Sequence, residues 1–410
     1  MNNTSKTELP LTGYRVLDLS RILAGPYCTM ILGDQGAEVI KIERPGTGDD
    51  TRTWGPPFAG GESAYYLCCN RNKKSMVIDL KKPEGLELVR ELARLSDVLV
   101  ENFTPGLMKS FGLDYETLSE LNPRLIYASI TAYGQDGPYR NRPGYDMVLS
   151  AVGGLMYITG EPDGMPCKVG VAITDVLTGV YASGAITSSL LWRERSGKGQ
   201  YLDISLLDAQ VSGLANIASN YLVAGKEAKR WGTAHESIIP YQVFQTADRP
   251  IAIAVANQKL WVNFCKLVGK EDWLNDPRFE SNPKRVENRD VLIPLIEKMF
   301  LQKTCDEWME LLVGAAIPCG PVNDMQHLFA DPQVKHRNMI AEVPHPTIGT
   351  LRLAGLPIKY SETPGKIRRH PPLLGEHTDE VLAKVLGYSS DQIESLKGQG
   401  VVVKGDGAGS

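Results

Sequence analysis

Four short apolar runs of strand-forming residues recur in the first third of the chain, with helical patterns between them: Arg15-Val-Leu-Asp-Leu19, Glu38-Val-Ile-Lys-Ile42, Asp97-Val-Leu-Val-Glu101 and Arg124-Leu-Ile-Tyr-Ala-Ser-Ile130. Near-continuous apolar strands separated by helices pack as a parallel sheet covered on both faces, so the pattern predicts a doubly wound, Rossmann-like α/β sheet. After the first run, Cys28, Ile31 and Leu32 fall at helical spacing, with Gly36 placed to stop the helix. A second helix starts at Pro83 and turns Leu86, Val89 and Leu92 to one side. Beyond residue 224 a polar loop leads to the apolar strand Ile251-Ala-Ile-Ala-Val-Ala256 and then to further helical patterns. This change of texture predicts a second, smaller α+β domain. The boundaries expected are a large domain over 1–205, a linker over 206–229, a small domain over 230–325, a second linker over 326–350, and a C-terminal part over 351–410 that returns to the large domain.

Composition narrows the class of partner. The 410 residues carry 44 Lys and Arg against 48 Asp and Glu, a formal charge of −4, with 42% apolar and 22% charged residues. A near-neutral balance lacks the basic footprint of nucleic-acid binding and points to a small-molecule partner. The seven cysteines are scattered without C-x-x-C spacing, and no two of the six histidines stand at an H-x-x-x-H interval, so no metal site is expected. Met1 to Pro10 has no signal-like apolar core, which fits a cytoplasmic protein or a mitochondrial matrix protein whose presequence has been removed. The uncharged stretch Val176 to Trp192 is short for a membrane span and reads as a buried helix. The small polar end, Lys404 to Ser410, reads as an appended scar.

A doubly wound sheet invites a dinucleotide reading, but the turn after the first strand is Ser20-Arg-Ile-Leu-Ala-Gly-Pro-Tyr27, without the G-x-G-x-x-G fingerprint. Neither a P-loop nor G-x-S-x-G occurs. What remains is a set of cations and amides near strand ends: Arg44, Asn72, Lys73, Lys74, Lys81, Lys82 and Asn102-Phe103. In one reading they hold phosphates, with Phe103 as a ring for a base; in the other they are solvated surface charges. Asp175 closes the run Val169-Gly-Val-Ala-Ile-Thr174 and opens a helix rich in small residues. At a helix start its ionised form is favoured, which suits either a nucleophile toward an acyl group or a plain cap made by Asp175 or Thr174. Tyr145-Asp146 offers a phenol beside a carboxylate, for acid/base work or as a turn in which Asp146 holds its own backbone. His235 is a loop histidine, a type more often exposed than catalytic.

Together these stretches resemble the class III CoA-transferase family, which includes formyl-CoA transferase, carnitine CoA-transferase and the 2-methylacyl-CoA racemases. The resemblance is carried by Val16-Leu-Asp-Leu19 with Ala24-Gly-Pro26, Gly36-Ala-Glu-Val-Ile-Lys-Ile-Glu-Arg-Pro-Gly46, Asn72-Lys73 with Ser75, Val100-Glu-Asn-Phe103 with Pro105-Gly106, Asn122-Pro-Arg-Leu-Ile126, Ser196-Gly-Lys-Gly-Gln200 and Pro372-Leu-Leu-Gly-Glu-His377. It implies that Asp175 is the nucleophile, forming a mixed anhydride and then an aspartyl-CoA thioester. It also implies CoA contacts at Arg44, Lys81, Asn102 and Phe103, with Tyr145 beside the thioester. It implies further that the acyl-CoA and carboxylic acid are substrates, that no cofactor is permanently bound, and that the chain forms an interlocked homodimer whose large domain is built from both chain ends.

Departures within the family narrow the expectation. Racemase relatives carry histidine where this chain has Tyr145, so racemase-type isomerisation is disfavoured. A non-catalytic CoA-binding protein is the remaining alternative. The glycine lid of formyl-CoA transferase is replaced by the segment from Arg230 to Gln242. The segments Ala228-Lys-Arg-Trp-Gly-Thr-Ala-His235, Gly48 to Phe58 and Asn70-Arg-Asn-Lys-Lys-Ser75 look most like the branch acting on dicarboxylates. That implies succinyl-CoA as donor and glutarate or a similar diacid as acceptor, with Arg52, Arg230 and His235 offered to the distal carboxylate.

Overall fold

The computed structural model describes residues 8–403, so the scar-like end Lys404 to Ser410 lies outside the described residues. The chain divides into two compact units, one formed by Met1–Leu155, Val169–Leu222 and Gln333–Ser410, the other by Met156–Lys168 and Val223–Pro332.

The first unit is built on β1 (Arg15–Asp18), α1 (Ala24–Asp34), β2 (Glu38–Glu43), β3 (Lys73–Ile78), α2 (Pro83–Arg94), β4 (Val98–Glu101), β5 (Ile126–Thr131), α3 (Asp146–Val152), α4 (Ile173–Ser196), β6 (Tyr201–Ser205) and α5 (Leu206–Gly213). Among the described residues its sheet has the order β3-β2-β1-β4-β5-β6, all parallel, with the short C-terminal strand Val402–Val403 antiparallel on the outer edge of β3. Alternate residues of each strand feed two separate cores. Leu17, Ile40, Ile42, Met76 and Leu99 pack with Leu88, Val89 and Leu92 of α2 and with Val381 and Leu382. Val16, Val39, Val98 and Val100 face the other way, onto Cys28 and Leu32 of α1 and onto Ala182, Ile186 and Leu190 of α4. The period-2 alternation of a strand therefore makes both faces apolar, and each face takes its own helix layer.

Two of the six parallel strands were not foreseen. β3 begins with two lysines, which the sequence reading took for a cation cluster, yet all six of its residues are buried. β6 is half exposed and polar at alternate positions, so its apolar signal is weak. The helix expected to be buried, α4, is buried on one side only: Val180, Tyr181, Leu191 and Trp192 on its other side are each about half exposed. Its small residues serve close approach to α1. A Cβ at Gly179 would lie 2.7 Å from the Ala24 carbonyl oxygen and 3.2 Å from the Tyr27 Cβ.

The second unit holds a three-stranded antiparallel sheet of β7 (Tyr241–Phe244), β8 (Ile251–Ala254) and β9 (Cys319–Pro321), with β8 central. Its core is aromatic, centred on Trp261, Phe264, Phe279, Phe300 and Trp308. No helix among the described residues is long and apolar enough to cross a membrane. Nor do the described residues contain a cluster of three or more His, Cys, Asp or Glu able to hold a metal ion.

Candidate active site

Parallel strands align their C-terminal ends along one edge of the sheet, and ligands of open α/β folds bind in the crevice beyond that edge. Here the segments leaving β1, β2, β3, β4 and β5 enclose two adjoining cavities in the first unit. One, of about 270 Å³, is lined by Arg21, Asn102, Phe103, Arg140, Arg142, Tyr145 and Asp175 among others. The other, of about 260 Å³, is lined by Arg21, Arg44, Lys81, Phe103 and Phe111 among others. Arg21 and Phe103 wall both cavities, the Arg21 guanidinium lying 5.2 Å from the centre of the Phe103 ring.

The turn that presents these two residues is tied from below. The Asn102 side-chain carbonyl accepts the Arg21 N–H at 2.8 Å, and its amide donates to the Arg21 carbonyl at 2.7 Å. Ile22 takes a left-handed φ of 71°, and its N–H donates to Asp49 at 3.2 Å. Gly25 follows because a Cβ there would come within 2.3 Å of the Ser20 Cβ. The absence of a second glycine from this turn thus reflects its job: it presents a side chain, Arg21, rather than a bare backbone for a pyrophosphate.

Asp175 sits in the first turn of α4, whose N-cap residue is Ala172 and offers no side-chain cap. The cap comes from elsewhere. Asp146, the first residue of α3, accepts the Thr174 N–H at 2.8 Å and the Asp175 N–H at 3.3 Å on its Oδ2. Neither Thr174 nor Asp175 caps the helix, and Asp146 holds the backbone of a distant segment rather than its own. Thr174 instead donates its hydroxyl to Gln210 of α5 at 2.6 Å. Beside Asp175 lies an apolar cluster in which Tyr65, Ala172 and Val176 pack on Leu23, Met30 and Cys69. Burial, reinforced by the Asp146 carboxylate, pushes the Asp175 pKa up to about 7. Desolvation and a like charge thus oppose the ionisation that the helix start favours.

Residues 11–378 match the model of CoA-transferase family III. This chain belongs to that family. It is 48% identical to the succinyl-CoA:glutarate CoA-transferase of Homo sapiens over 402 residues, 98% of this chain and 91% of that protein. It is 43% identical to the succinate–glutarate CoA-transferase of Agrobacterium fabrum (strain C58 / ATCC 33970) over 391 residues, 94% of this chain and 98% of that protein. A crystal structure of a CAIB/BAIF family protein from Brucella suis superposes with a TM-score of 0.83 at 43% identity, covering 92% of this chain and all 100% of the other. The protein is thus a class III CoA-transferase.

The structure brings together Asp175, Asn102, Phe103 and Tyr145 in one cavity of the CoA-transferase, and Arg44, Lys81 and Phe103 in the next. Arg44 is exposed and pairs with Asp50, to which Arg21 also bonds at 3.2 Å. Five other candidates are placed differently. Lys73 and Asn72 stand at the opposite, N-terminal end of the sheet strands. The Lys73 ammonium is fully buried, donating to Asp18 at 3.1 Å, Pro26 O at 2.9 Å and Asn70 at 2.9 Å. The Asn72 amide donates to Asp34 at 2.7 Å and to the Lys366 carbonyl at 3.0 Å, while its oxygen accepts from the Arg368 and Arg369 backbone. Lys73 thus ties β3 to β1 and to the start of α1, Asn72 fastens the C-terminal segment to the sheet, and neither lines either cavity.

Arg52 is likewise consumed. It makes a two-pronged pair with Glu43 at 2.8 Å and 2.8 Å, donates to Tyr66 Oη at 2.7 Å, and stacks 3.7 Å from the Tyr66 ring centre. It leaves the substrate set for the same reason. Arg230 and His235 belong to the second unit, where Arg230 donates to the carbonyls of Glu161 at 3.2 Å and Tyr157 at 3.1 Å, and His235 Nδ1 accepts the Ser237 N–H at 3.1 Å. Three cavity cations, Arg21, Arg140 and Arg142, were missed by sequence reasoning. Each follows the C-terminal end of a predicted strand, the same signal that singled out Arg44.

Proposed function

We propose that this CoA-transferase moves CoA from succinyl-CoA to glutarate or a diacid of similar length, with Asp175 as the carrier. The observation that carries this reading is the position of Asp175: a carboxyl raised in pKa, at the end of a cleft whose other cavity gathers Arg44, Lys81 and a phenyl ring. A thioester ligand with a charged, aromatic head needs cations and a stacking surface at one end and a nucleophile at the other. The relatives whose printed names pair succinyl and glutaryl substrates support the choice of acids.

In the proposed reaction the Asp175 carboxylate attacks the thioester carbonyl and expels CoA thiolate, leaving a succinyl-aspartyl anhydride. The thiolate then attacks the aspartyl carbon and releases succinate, leaving an aspartyl-CoA thioester. Glutarate attacks that carbon, a second anhydride forms as thiolate leaves again, and thiolate finally takes the glutaryl group and frees Asp175. Each step conserves charge and needs no proton, so the site's task is to exclude water and orient groups. A pKa near the working pH leaves an ionised fraction while keeping the carboxylate more basic, and so more nucleophilic, than a solvated aspartate. Arg44, Lys81 and Arg21 are assigned to the CoA phosphates, Asn102 and Phe103 to its remaining length, and Tyr145 to the region of the thioester. Arg230 and His235 stay candidates for the distal carboxylate.

The half-exposed apolar row on α4, with Met147, Val148 and Val152 of α3, supports the reading of a homodimer, because a soluble chain does not leave so much aromatic and aliphatic surface uncovered. The interlocked form of that dimer is part of the same proposal. Asp175→Ala tests the mechanism: exchange between succinyl-CoA and glutarate should vanish while CoA still binds, and hydroxylamine should trap Asp175 in the wild type during turnover. Deuterium uptake at the α-carbon of a branched acyl-CoA, without any acid present, would instead support an isomerase.

A further inference from the structure

Glu101 is the last residue of β4 and is 3% exposed; it lines neither of the two cavities of the cleft but a third, of about 260 Å³, that shares Arg140 with the first. Its Oε2 accepts the Phe103 backbone N–H at 2.8 Å. The Ser129 hydroxyl stands near enough to the same carboxyl to favour its charged form, and Gln135 donates to Ser129 Oγ at 2.7 Å. No cation is among the groups that set its charge, and burial pushes its pKa up to about 7. An acid kept inside a protein without a counter-charge is costly, and such groups concentrate where their hydrogen bonds are used.

The use here is geometric. Phe103 walls both cavities, and its turn has two anchors. Asn102 binds the Arg21 backbone on one side, and Glu101 binds the Phe103 backbone on the other. A turn held by one anchor alone pivots about it, and the ring at its tip moves most. We propose that Glu101 is a positioning residue of the CoA cleft, fixing through the Phe103 N–H the turn on which the thioester's CoA portion lies. It acts through Phe103 and touches no substrate atom. The inference rests on the reading of the cleft as the CoA site.

The test is a pair of substitutions with steady-state kinetics and calorimetric binding of free CoA. Glu101→Ala removes the acceptor and should raise KM for the acyl-CoA and Kd for CoA about tenfold, with kcat and the acceptor's KM within about twofold of wild type. Glu101→Gln keeps an acceptor oxygen in place and should restore both constants to near wild type. If Glu101→Ala does not fold, Ser129→Ala removes only the supporting hydroxyl and should raise the same KM a few-fold, again without a change in kcat. An unchanged KM in the alanine variants, a loss confined to kcat, or a glutamine variant as impaired as the alanine one would overturn the proposal. Failure of the wild type to bind free CoA would instead remove the reading of the cleft on which it rests.

Discussion

Asp146 Oδ2 holds the backbone nitrogens of Thr174 and Asp175 at 2.8 Å and 3.3 Å, so one carboxylate both caps the helix that carries the proposed nucleophile and charges the space beside it. The two effects oppose each other at Asp175. The hydrogen bonds fix where its backbone stands, and the charge resists its ionisation. Separating them is possible because an amide keeps the first effect and lacks the second.

Asp146→Asn should retain a capping oxygen and lower the Asp175 pKa from about 7. The acid limb of kcat/KM against pH is expected to move toward lower pH by about one unit. Asp146→Ala should lose the cap as well, at about 1 kcal/mol of stability. A limb that stays in place in the asparagine variant would show that burial alone sets the titration.

Stability should carry the same signature. Asp175 has a folded-state pKa raised from 3.8 to about 7, so between those values the folded chain binds more protons than the unfolded one. Its contribution to stability therefore falls as pH rises through that window. Asp175→Asn should be more stable than wild type at pH about 8, with the difference shrinking steadily toward pH about 4. Urea midpoints at the two ends measure it, and a gain of equal size at both would rule the linkage out.

The buried and exposed cations should separate cleanly. Lys73→Met strands the buried Asp18 carboxylate and should cost about 3–5 kcal/mol, read as a drop in the denaturation midpoint. Arg44→Ala and Lys81→Ala should leave stability within about 0.5 kcal/mol of wild type and raise KM for the acyl-CoA. A Lys73→Met enzyme of normal stability with a raised KM would restore Lys73 to the ligand set.

Gly179→Ala tests the contact between α1 and α4. The added carbon would meet the Ala24 carbonyl at 2.7 Å, and backbone cannot swing aside as a side-chain tip can. Overpacking of this kind costs about 1–3 kcal/mol, so the thermal midpoint should fall by several degrees. Gly184, with open space around its Cβ position, is the control: Gly184→Ala should be neutral or stabilising.

The parallel sheet was legible because β1, β2, β4 and β5 are apolar on both faces, a signal that does not depend on what surrounds them. β3 was not, since Lys73 and Lys74 read as solvent-facing until their partners Asp18, Glu38 and Glu380 are in place. The same cause misassigned Arg52, whose partners Glu43 and Tyr66 stand nine and fourteen positions away. Asp175 could be picked out from its place between an apolar run and a small-residue helix, but its titration could not, because it is shifted first by burial and then by the charge of Asp146, 29 residues earlier.

Local pattern thus determined four of the six parallel strands, the motifs that carry the family, and part of the set of residues at the ligand-binding edge. Tertiary structure alone decided which of the charged residues line the cleft and which are buried against each other. Whether a charge is free depends on how near its opposite lies in space, and folding, rather than spacing along the chain, sets that distance.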